Sequence, residues 1–268
     1  MPDILLETHD LRKAFGALVA VDDVSIQVQA GTIHSIIGPN GAGKTTFFNL
    51  LSGNLEPTAG KVIYKGKDIT RLPLHRSAHI GIGRSFQITN LFPNLTALEN
   101  VRLACQALGK DNFSFLRPAG YFKRYEQRAW AILQQVGLAE RALMPARALP
   151  HGDQRKLELG IILAADPELM LLDEPTAGMA AEQVPDLMAL IKEIQTSGGK
   201  TVILVEHNMN VVMSVSDRIT VMHQGQVLAE GTPAEIAANE TVQSAYLGGL
   251  YELGEGKEGK EGTEEQDE

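Results

Sequence analysis

The sequence predicts an α/β fold built around a mainly parallel sheet. Three short apolar runs, at Ile33–Ile37, Leu169–Asp173 and Thr201–Val205, have the character of buried strands, and helix-forming segments separate them. Strands that alternate with helices favour a parallel sheet covered on both faces, with ligand groups collected at the strand ends. At 268 residues, of which 44% are hydrophobic and 21% charged, the chain has enough mass to bury a large core.

The charge of the chain is unevenly distributed. The formal net charge is -9, and residues 255–268 hold seven of the acidic residues and two of the lysines. An acidic balance argues against a nucleic-acid surface, which needs basic patches to neutralise phosphates. We expect residues 254–268 to be an acidic disordered tail that aids solubility, with a regulatory role as the alternative.

Cysteine content and hydropathy bear on the compartment. Cys105 is the only cysteine, which excludes an internal disulfide and a cysteine-based metal cluster and fits a reducing cytosol. The first ten residues carry acids where a secretory signal needs a basic start, and no apolar run approaches the roughly 18 residues of a membrane span. Any membrane role is therefore expected to be peripheral.

Further strands are expected on either side of a helical insertion. They are predicted at Ile4–Thr8, Val24–Val28, Lys61–Tyr64, Gly81–Phe86, Arg218–Met222 and Val227–Ala229. Between Ala97 and Ala148 helix formers dominate, interrupted by a loop-like stretch at 109–120. Another helix is predicted over Gln154–Ala164. The pattern indicates a helical subdomain inserted into an α/β body.

A complete P-loop follows the first buried strand. It comprises Gly38, Pro39, Asn40, Gly41, Ala42, Gly43, Lys44, Thr45 and Thr46, with a helix predicted after it at Phe47–Leu51. Gly41 and Gly43 let backbone N–H groups curl around phosphate oxygens, and the helix N-terminus favours negative charge. Lys44 places a cation on the β- and γ-phosphates, and Thr45 offers a hydroxyl to Mg²⁺. The pattern predicts a nucleotide site and, taken alone, fits an NTPase or a kinase.

A pair of carboxylates ends the second buried strand. Asp173 is suited to hold the Mg²⁺ shell, and Glu174 is suited to orient an attacking water. The alternative is an acidic turn before a helix, but an apolar strand ending in Asp-Glu in the same chain as a full P-loop favours the nucleotide site. The third buried strand ends in Glu206-His207.

These motifs resemble the ABC ATPase family over about residues 4–248. The resemblance implies the P-loop NTPase fold of that family, with a mainly parallel core sheet, an antiparallel β subdomain and an inserted helical subdomain. It implies a single ABC ATPase domain over 1–253, with a RecA-like core at about 1–87 and 166–253 and the helical subdomain at about 88–165. The implied cofactors are ATP and Mg²⁺.

Three further residues match single positions of the family. Gln87 is similar to the glutamine that reaches the metal or its water and senses the γ-phosphate, and His207 is similar to the switch histidine. Phe15 matches the aromatic residue that stacks on adenine, with core packing as the alternative. The resemblance thus implies a catalytic set of Glu174, His207 and Gln87 and a metal set of Thr45, Gln87 and Asp173.

The chain departs from the family at its signature. Where the family has Leu-Ser-Gly-Gly-Gln, the aligned residues, expected to face the ATP of a partner subunit, are Leu149, Pro150, His151, Gly152, Asp153 and Gln154. Pro150 replaces the serine whose hydroxyl meets the γ-phosphate, and proline also lacks an N–H donor. Gly152 is kept, and the helix that begins near it can point its N-terminal dipole at phosphate. We expect a site that uses this signature to bind or hydrolyse ATP less well.

A second departure identifies a branch of the family. Met179 stands where the D-loop of the family has aspartate, and the runs Phe86–Val101 and Ala245–Gly248 accompany it. These features resemble the branched-chain amino acid importer branch, with urea or amide importers as the main alternative. Two other classes are weaker alternatives. Soluble ABC ATPases that act on ribosomes or DNA usually carry two cassettes or a long coiled-coil insertion, and neither is expected to fit in 268 residues. A small-molecule kinase shares only the P-loop and leaves Gln87, the signature residues and His207 unexplained.

The resemblance also implies partners. Two ATPase subunits, identical or different, would close head to tail on ATP, and integral-membrane permease subunits would receive the motion. An extracytoplasmic solute-binding protein would act indirectly, and no nucleic-acid partner is expected. The chain would lie peripherally on the cytoplasmic face of the cell (inner) membrane. Leu91, Phe92 and Pro93 are predicted to help form the groove for a short permease helix, with core packing of Leu91 and Phe92 as the alternative.

Overall fold

Two β-sheets of different kinds are joined by helices. The computed structural model describes residues 3–85, 91–107, 109 and 123–245. The strands are β1 (Ile4–Phe15), β2 (Leu18–Val24), β3 (Gln27–Gln29), β4 (Ile33–Ile37), β5 (Ala59–Tyr64), β6 (Lys67–Asp68), β7 (Ile82–Arg84), β8 (Leu169–Asp173), β9 (Thr201–Val205), β10 (Arg218–His223) and β11 (Gln226–Gly231). The α-helices are α1 (Lys44–Leu51), α2 (Leu74–Ser77), α3 (Ala97–Ala107), α4 (Lys123–Gln135), α5 (His151–Leu163), α6 (Val184–Gly198), α7 (Met209–Val215) and α8 (Pro233–Ala237).

The first sheet is antiparallel, in the order β2-β1-β5-β6, with β3 also paired to β1. The prediction of one strand over Val24–Val28 is wrong, because two parts of the long strand β1 take different partners. Val24 pairs with Leu11, whereas Val28 pairs with Leu6. Between them the backbone N–H of Ile26 donates to the Thr8 hydroxyl oxygen at 3.0 Å, which holds the chain against β1 where the strand breaks.

The second sheet has the order β11-β10-β4-β9-β8-β7, and every neighbouring pair except β10–β11 is parallel. All five residues of each of β4, β8 and β9 are buried. Continuous burial is expected of parallel strands, because both faces of such a sheet are covered. These three strands have the bounds that the sequence predicted.

The mainly parallel sheet forms the middle layer of the fold. On β8, Leu169 and Leu171 pack into a core shared with α1 and the antiparallel sheet. Their neighbours Met170 and Leu172 face the opposite way and pack into a core shared with α3, α4, α5 and α6. The alternation follows from the two-residue period of a strand, and it fixes the register of the sheet.

Two helices begin earlier than the sequence predicted. α1 begins at Lys44 because Gly43, with φ 95°, turns the chain directly into the helix. α5 begins at His151 after Pro150, whose φ of -53° already suits the start of a helix. Most of the predicted loop at 109–120, and Phe86 at the end of a predicted strand, lie outside the described residues.

Among the described helices none is both long and apolar enough to cross a membrane.

A polar clip holds the loop before α3. The buried side chain of Asn100 accepts a hydrogen bond from the N–H of Phe92 at 2.8 Å and donates to the carbonyl oxygens of Phe92 at 3.1 Å and Thr96 at 2.9 Å. Buried amide groups need such partners, because an unsatisfied one costs free energy. The clip fixes a loop whose Phe92 side chain remains 57% exposed. Core packing of Phe92 is therefore wrong, whereas Leu91 packs against the helical core.

Candidate nucleotide site

Three neighbouring strands of the mainly parallel sheet bring the predicted site residues together. β4 runs into the P-loop, β8 ends in Asp173, and Glu206 and His207 follow β9. In the sheet β9 lies between β4 and β8, and all three run parallel. Their carboxyl ends therefore meet at one edge, as expected of ligand sites in α/β sheets.

The P-loop needs glycine where other chain segments approach it. A side chain at Gly43 would place its Cβ 2.3 Å from the Ala20 carbonyl oxygen on β2, and one at Gly38 would lie 2.2 Å from the Met222 carbonyl oxygen on β10. The Gly225 N–H, between β10 and β11, donates to the Ala42 carbonyl oxygen at 3.0 Å. The antiparallel sheet and the β10–β11 turn thus hold the loop in shape.

Lys44 is buried and folds back over its own loop. Its Nζ donates to the carbonyl oxygens of Gly38 at 2.7 Å and Pro39 at 3.0 Å. Burial lowers the pKa of Lys44. The nearby carboxylates of Glu174 and Asp173 raise this pKa and so offset part of the effect of burial. The ammonium group is thus held close to the loop without a direct carboxylate partner in its hydrogen bonds.

The P-loop opens into a cavity of about 270 Å³. Its lining consists of residues 40–46 together with Ala20, Glu174 and His207. Thr45 is exposed within this set. The N–H groups in the first turn of α1 have no acceptor inside the helix. The N-cap residue Gly43 has no side chain that could accept from them. The cavity therefore combines a helix N-terminus, a lysine and a threonine hydroxyl, which suits a phosphate chain.

Asp173 is a buried carboxylate at the end of β8. It is 4% exposed, and within the part of the chain that the structure describes neither of its carboxylate oxygens has a hydrogen-bond partner. The pKa of Asp173 is raised to about 6: burial and then the charge of Glu174 raise it, and the charges of Arg84, His207 and Lys44 partly offset them. Ser85 Oγ fixes the backbone by accepting from the Asp173 N–H at 2.9 Å. Buried carboxylate oxygens without donors suit a cation such as Mg²⁺.

Glu174 and His207 meet at the mouth of the cavity. The Nε2 atom of His207 lies 2.5 Å from Oε1 of Glu174. Glu174 has φ 47°, a conformation that costs a non-glycine residue on the order of 1 kcal/mol. Its N–H donates to the Val205 carbonyl oxygen of β9 at 2.9 Å, which holds this turn in place. The strained backbone keeps the carboxylate on the cavity wall.

Glu206 organises the turn beside these residues, a role that the sequence did not reveal. Its Oε1 accepts from the N–H of Thr176 at 3.0 Å and from the Thr176 hydroxyl at 2.7 Å, and its Oε2 accepts from the His207 N–H at 3.3 Å. The side chain is only 3% exposed. A carboxylate at the end of a buried strand was the only signal for it.

The aligned signature residues lie at the start of α5, away from the cavity. Leu149 is buried and its carbonyl oxygen accepts from Gln154 Nε2 at 2.9 Å, while Asp153 forms an ion pair with Arg141. A Cβ at Gly152 would lie 2.9 Å from Oε1 of Gln183. No signature residue is among the described residues that line the P-loop cavity. The signature residues of this chain therefore do not contribute to its own P-loop cavity.

Contacts connect the signature to the turn after Glu174. Arg155 on α5 donates to the Ala177 carbonyl oxygen at 3.1 Å and to Glu158 at 2.8 Å. His151 packs close to Gly178, where an added Cβ would lie 3.3 Å from its Cε1 atom. Met179 packs against the helical core. The segment that follows the carboxylate pair thus also supports the start of α5.

Two remaining predictions have different outcomes. Phe15 is 48% exposed at the end of β1, with Lys13 Nζ 5.1 Å from the centre of its ring. Core packing of Phe15 is therefore wrong, and the part of its side chain that Lys13 does not cover is open to solvent. Gln87 lies outside the described residues, as do Tyr246–Gly248 and the acidic segment 254–268, so their predicted roles stay predictions.

The fold and this arrangement define a nucleotide-hydrolysing protein of the P-loop class. The family model for ABC transporters matches residues 21–177, and the model for branched-chain amino acid ATP-binding cassette transporters matches residues 226–251. The chain belongs to the ABC transporter ATP-binding family, whose members bind and hydrolyse ATP.

Two curated relatives match nearly the whole chain. The high-affinity branched-chain amino acid transport ATP-binding protein BraF of Pseudomonas aeruginosa is 42% identical over 251 residues, covering 91% of this chain and 98% of its own. The corresponding protein LivG of Salmonella typhimurium is 41% identical over 253 residues, covering 92% and 99%.

Solved structures have the same fold. The ADP conformation of MJ1267, an ATP-binding cassette of an ABC transporter, is 29% identical with a TM-score of 0.79, covering 92% of this chain and 99% of its own. The dimeric post-hydrolysis state of the cassette MJ0796, bound to ADP and Pi, is 28% identical with a TM-score of 0.72, covering 85% and 99%.

Replacing Asp173 with asparagine should stabilise the protein in the absence of Mg²⁺ and nucleotide. The unfolded carboxyl group ionises near its ordinary pKa of 3.8 and the folded one near about 6, so the unfolded state binds fewer protons between these values. By linkage, the free energy of unfolding of the wild type falls as pH rises through this window. At about pH 8 the free energy of unfolding of the variant should exceed that of the wild type by about 3 kcal/mol in urea unfolding, at about 1.4 kcal/mol per pKa unit.

At about pH 4 or below, where the folded carboxyl group is protonated, the two proteins should differ little. Asp166→Asn is a control of opposite sign: the hydrogen bond from Lys200 lowers the pKa of the exposed Asp166 carboxyl group, so this substitution should lower the free energy of unfolding at high pH. An advantage of Asp173→Asn that does not change between low and high pH would contradict the buried-charge explanation.

Proposed function

We propose that this chain is the ATP-hydrolysing subunit of an importer for branched-chain amino acids. The observation that carries the proposal is the Glu174–His207 pair at the mouth of the P-loop cavity, beside the unpartnered carboxylate of Asp173. The amino acid class comes from the relatives BraF and LivG, whose names state it. The solute itself does not enter this site, since the cavity is built for phosphates.

Mg²⁺ fits the residues present. The carboxylate oxygens of Asp173 and the hydroxyl of Thr45 are the kinds of ligand that Mg²⁺ prefers, and Gln87 is the third predicted ligand. When bound with ATP, the ion would offset the charge that develops on the phosphates. Lys44 would contribute to the same end by turning its Nζ from the Gly38 and Pro39 carbonyl oxygens towards phosphate oxygens.

Glu174 and His207 would act on the attacking water. Glu174 lines the cavity next to the P-loop, where its carboxylate can accept a hydrogen bond from water and align it with the γ-phosphate. His207, whose Nε2 lies 2.5 Å from Oε1 of Glu174, would hold that carboxylate in position, and because it lines the same cavity it would sense the γ-phosphate. The exposed ring of Phe15 would stack on adenine.

A second ATPase subunit would complete the site. The signature at the start of α5 does not line the P-loop cavity of its own chain, so it is free to face the ATP of a partner. The dimeric state of MJ0796 is consistent with such pairing in a related cassette. Pro150 occupies the N-cap of α5 and provides no hydroxyl, so this half of the shared site lacks one phosphate donor.

An apolar groove is suited to a helix of the permease. The groove has a volume of about 380 Å³ and runs between α2 and the end of α5. Its apolar lining consists of Leu74, Ala78, Ile82, Ile161, Ile162 and Ala165. Grooves of this kind accept the apolar face of a short helix. We assign this apolar groove to the cytoplasmic segment of an integral-membrane permease, on the cytoplasmic face of the cell membrane.

Exposed apolar side chains provide a second contact surface. Phe92 and Leu143 are 57% and 71% exposed and Met144 is 37% exposed. They lie on two segments joined by backbone hydrogen bonds, among them Ala97 N–H to the Met144 carbonyl oxygen at 3.0 Å. Adjacent exposed apolar residues mark interaction sites. We propose that they extend the permease contact beyond the apolar groove.

The function is tested by gentle solubilisation of membranes from cells that contain the tagged protein. Copurification of two multi-spanning permeases and a second ATPase supports the importer, and uptake of labelled leucine that depends on this chain identifies the solute class. An extracytoplasmic solute-binding protein would be required for that uptake. Recovery of the protein from the cytosol or ribosomes alone would contradict the transport role and leave the ATPase chemistry intact.

Glu174→Gln should lower the ATPase rate by about 100- to 10,000-fold, because the carboxylate that aligns water is lost. ATP binding should persist, since Lys44 and the P-loop are unchanged. Phosphate release and binding of a fluorescent ATP analogue separate the two effects, and Glu182→Gln, at an exposed glutamate, is the control. An unchanged hydrolysis rate would reject the role of Glu174.

Pro150→Ser should raise the ATPase rate by about tenfold, because a serine hydroxyl would restore a hydrogen bond to charged phosphate oxygens. The backbone of Pro150, at φ -53° and ψ 153°, lies near the extended conformation in which serine caps helices. Pro150→Ala removes the ring without adding a hydroxyl and is the matched control. No change on Pro150→Ser removes the hypothesis that this signature is weakened.

Phe92→Glu should weaken permease binding at least about thirtyfold, as expected when a charge replaces an exposed aromatic anchor. Basal ATPase activity and the unfolding midpoint should stay unchanged, because Phe92 is outside the core. Permease copurification and permease-stimulated ATPase are the readouts, and Phe92→Leu keeps the apolar contact. Retained permease binding by Phe92→Glu would contradict the contact surface.

A further inference from the structure

One segment of this acidic protein is strongly basic. Five lysines and arginines and one aspartate lie between residues 59 and 80, whereas the formal net charge of the chain is -9. Three of these cations, Lys61, Arg71 and Arg76, line one open cavity of about 610 Å³, which we call the basic cavity. Among the described residues, none lines both the basic cavity and the P-loop cavity. The basic cavity is therefore a feature that the nucleotide site does not explain.

The one carboxylate in the basic cavity is already engaged. Oδ1 of Asp68 accepts from the Thr70 N–H at 2.9 Å and from the Thr70 hydroxyl at 2.5 Å. Thr70 Oγ1 in turn accepts from the Val62 N–H of β5 at 3.0 Å, so the pair is anchored to the sheet. These hydrogen bonds, helped by the charges of Lys61 and Arg71, hold the pKa of Asp68 below its ordinary value.

The cations have no such partners. Within the described residues, no carboxylate forms an ion pair with Lys61, Arg71 or Arg76. Lys65 of the same segment does form one, with Glu168 on the neighbouring loop. An excess of two positive charges therefore faces the basic cavity. Two guanidinium groups and an ammonium group around one opening suit phosphate oxygens, because guanidinium binds them through two parallel hydrogen bonds.

The position of the basic cavity indicates the source of the phosphate. The short helix α2 lies between two features: Leu74 and Ser77 face the apolar groove, and Arg76 faces the basic cavity. A permease helix in the apolar groove would hold this edge of the protein at the membrane surface. Anionic headgroups at that surface attract clustered lysine and arginine.

We propose that the basic cavity binds the phosphate of an anionic phospholipid headgroup. The choice of a lipid rests on the proposed function, since it is the permease that brings α2 to the bilayer. The binding chemistry itself depends only on Lys61, Arg71 and Arg76. The contact would orient the subunit on the membrane beside its permease.

The test uses the full chain and vesicles without permease, of phosphatidylcholine alone or mixed with phosphatidylglycerol, in a flotation assay. The wild type should float with the mixed vesicles and not with phosphatidylcholine, and added salt should weaken the binding. Arg71→Gln/Arg76→Gln should bind about 25-fold less tightly, from about fivefold per cation. Lys123→Gln/Arg128→Gln, which removes two exposed cations of α4, is the charge-matched control and should bind as the wild type does.

Equal binding by the two double variants would overturn the proposal, since it would show that vesicle binding depends on the net charge of the protein and not on the basic cavity. Failure of the wild type to bind phosphatidylglycerol vesicles would also overturn the proposal. If calorimetry then showed binding of inorganic phosphate that depends on Arg71 and Arg76, the ligand of the basic cavity would be a soluble phosphate and not a lipid. Since the vesicles hold no permease, neither failure affects the proposed ATPase and transport function. Unchanged basal ATPase activity of Arg71→Gln/Arg76→Gln confirms that the variant is folded.

Discussion

The adjacency of three buried parallel strands is the constraint on which the site depends. Neighbouring strands are about 4.8 Å apart, so β4 and β8, with β9 between them, start the P-loop and the carboxylate pair about 10 Å from each other. The two-sided burial of these strands fixes their register, because a shift by one residue would exchange the residues that face the two cores. Packing far from the nucleotide therefore sets the distances within its site.

The same packing leaves the site with charges that are not directly paired. Lys44 is buried among carbonyl oxygens, and Asp173 is buried with both carboxylate oxygens lacking hydrogen bonds. Burying an ionised carboxylate without donors is unfavourable, so the pKa of Asp173 rises to about 6. A bound cation would provide a partner for Asp173, and a bound phosphate chain would provide one for Lys44. Unpaired charges at the edge of the sheet lower the stability of the ligand-free protein, as is common where residues are already positioned to bind a ligand.

Helix α5 connects the functions proposed for this chain. Its first turn carries the signature, and Arg155 joins that turn to the segment after Glu174. Its other end carries Ile161 and Ile162, which line the apolar groove. A helix of 13 residues is about 20 Å long, so one rigid element spans from the shared ATP site to the proposed permease contact. A displacement of the signature on ATP binding would move the groove with it.

The sequence by itself determined the candidate site residues and the central strands: the P-loop, Asp173, Glu174 and His207 are local motifs, and β4, β8 and β9 are continuous apolar runs that predict their own bounds. It did not determine the break at Ile26, the role of Glu206, or the exposure of Phe15 and Phe92. Each of these depends on contacts between segments far apart in the chain, as when Thr8 binds Ile26 or Glu206 binds Thr176. Only the tertiary structure decides which donors reach a buried carboxylate, and it supplied them to Glu206 and not to Asp173.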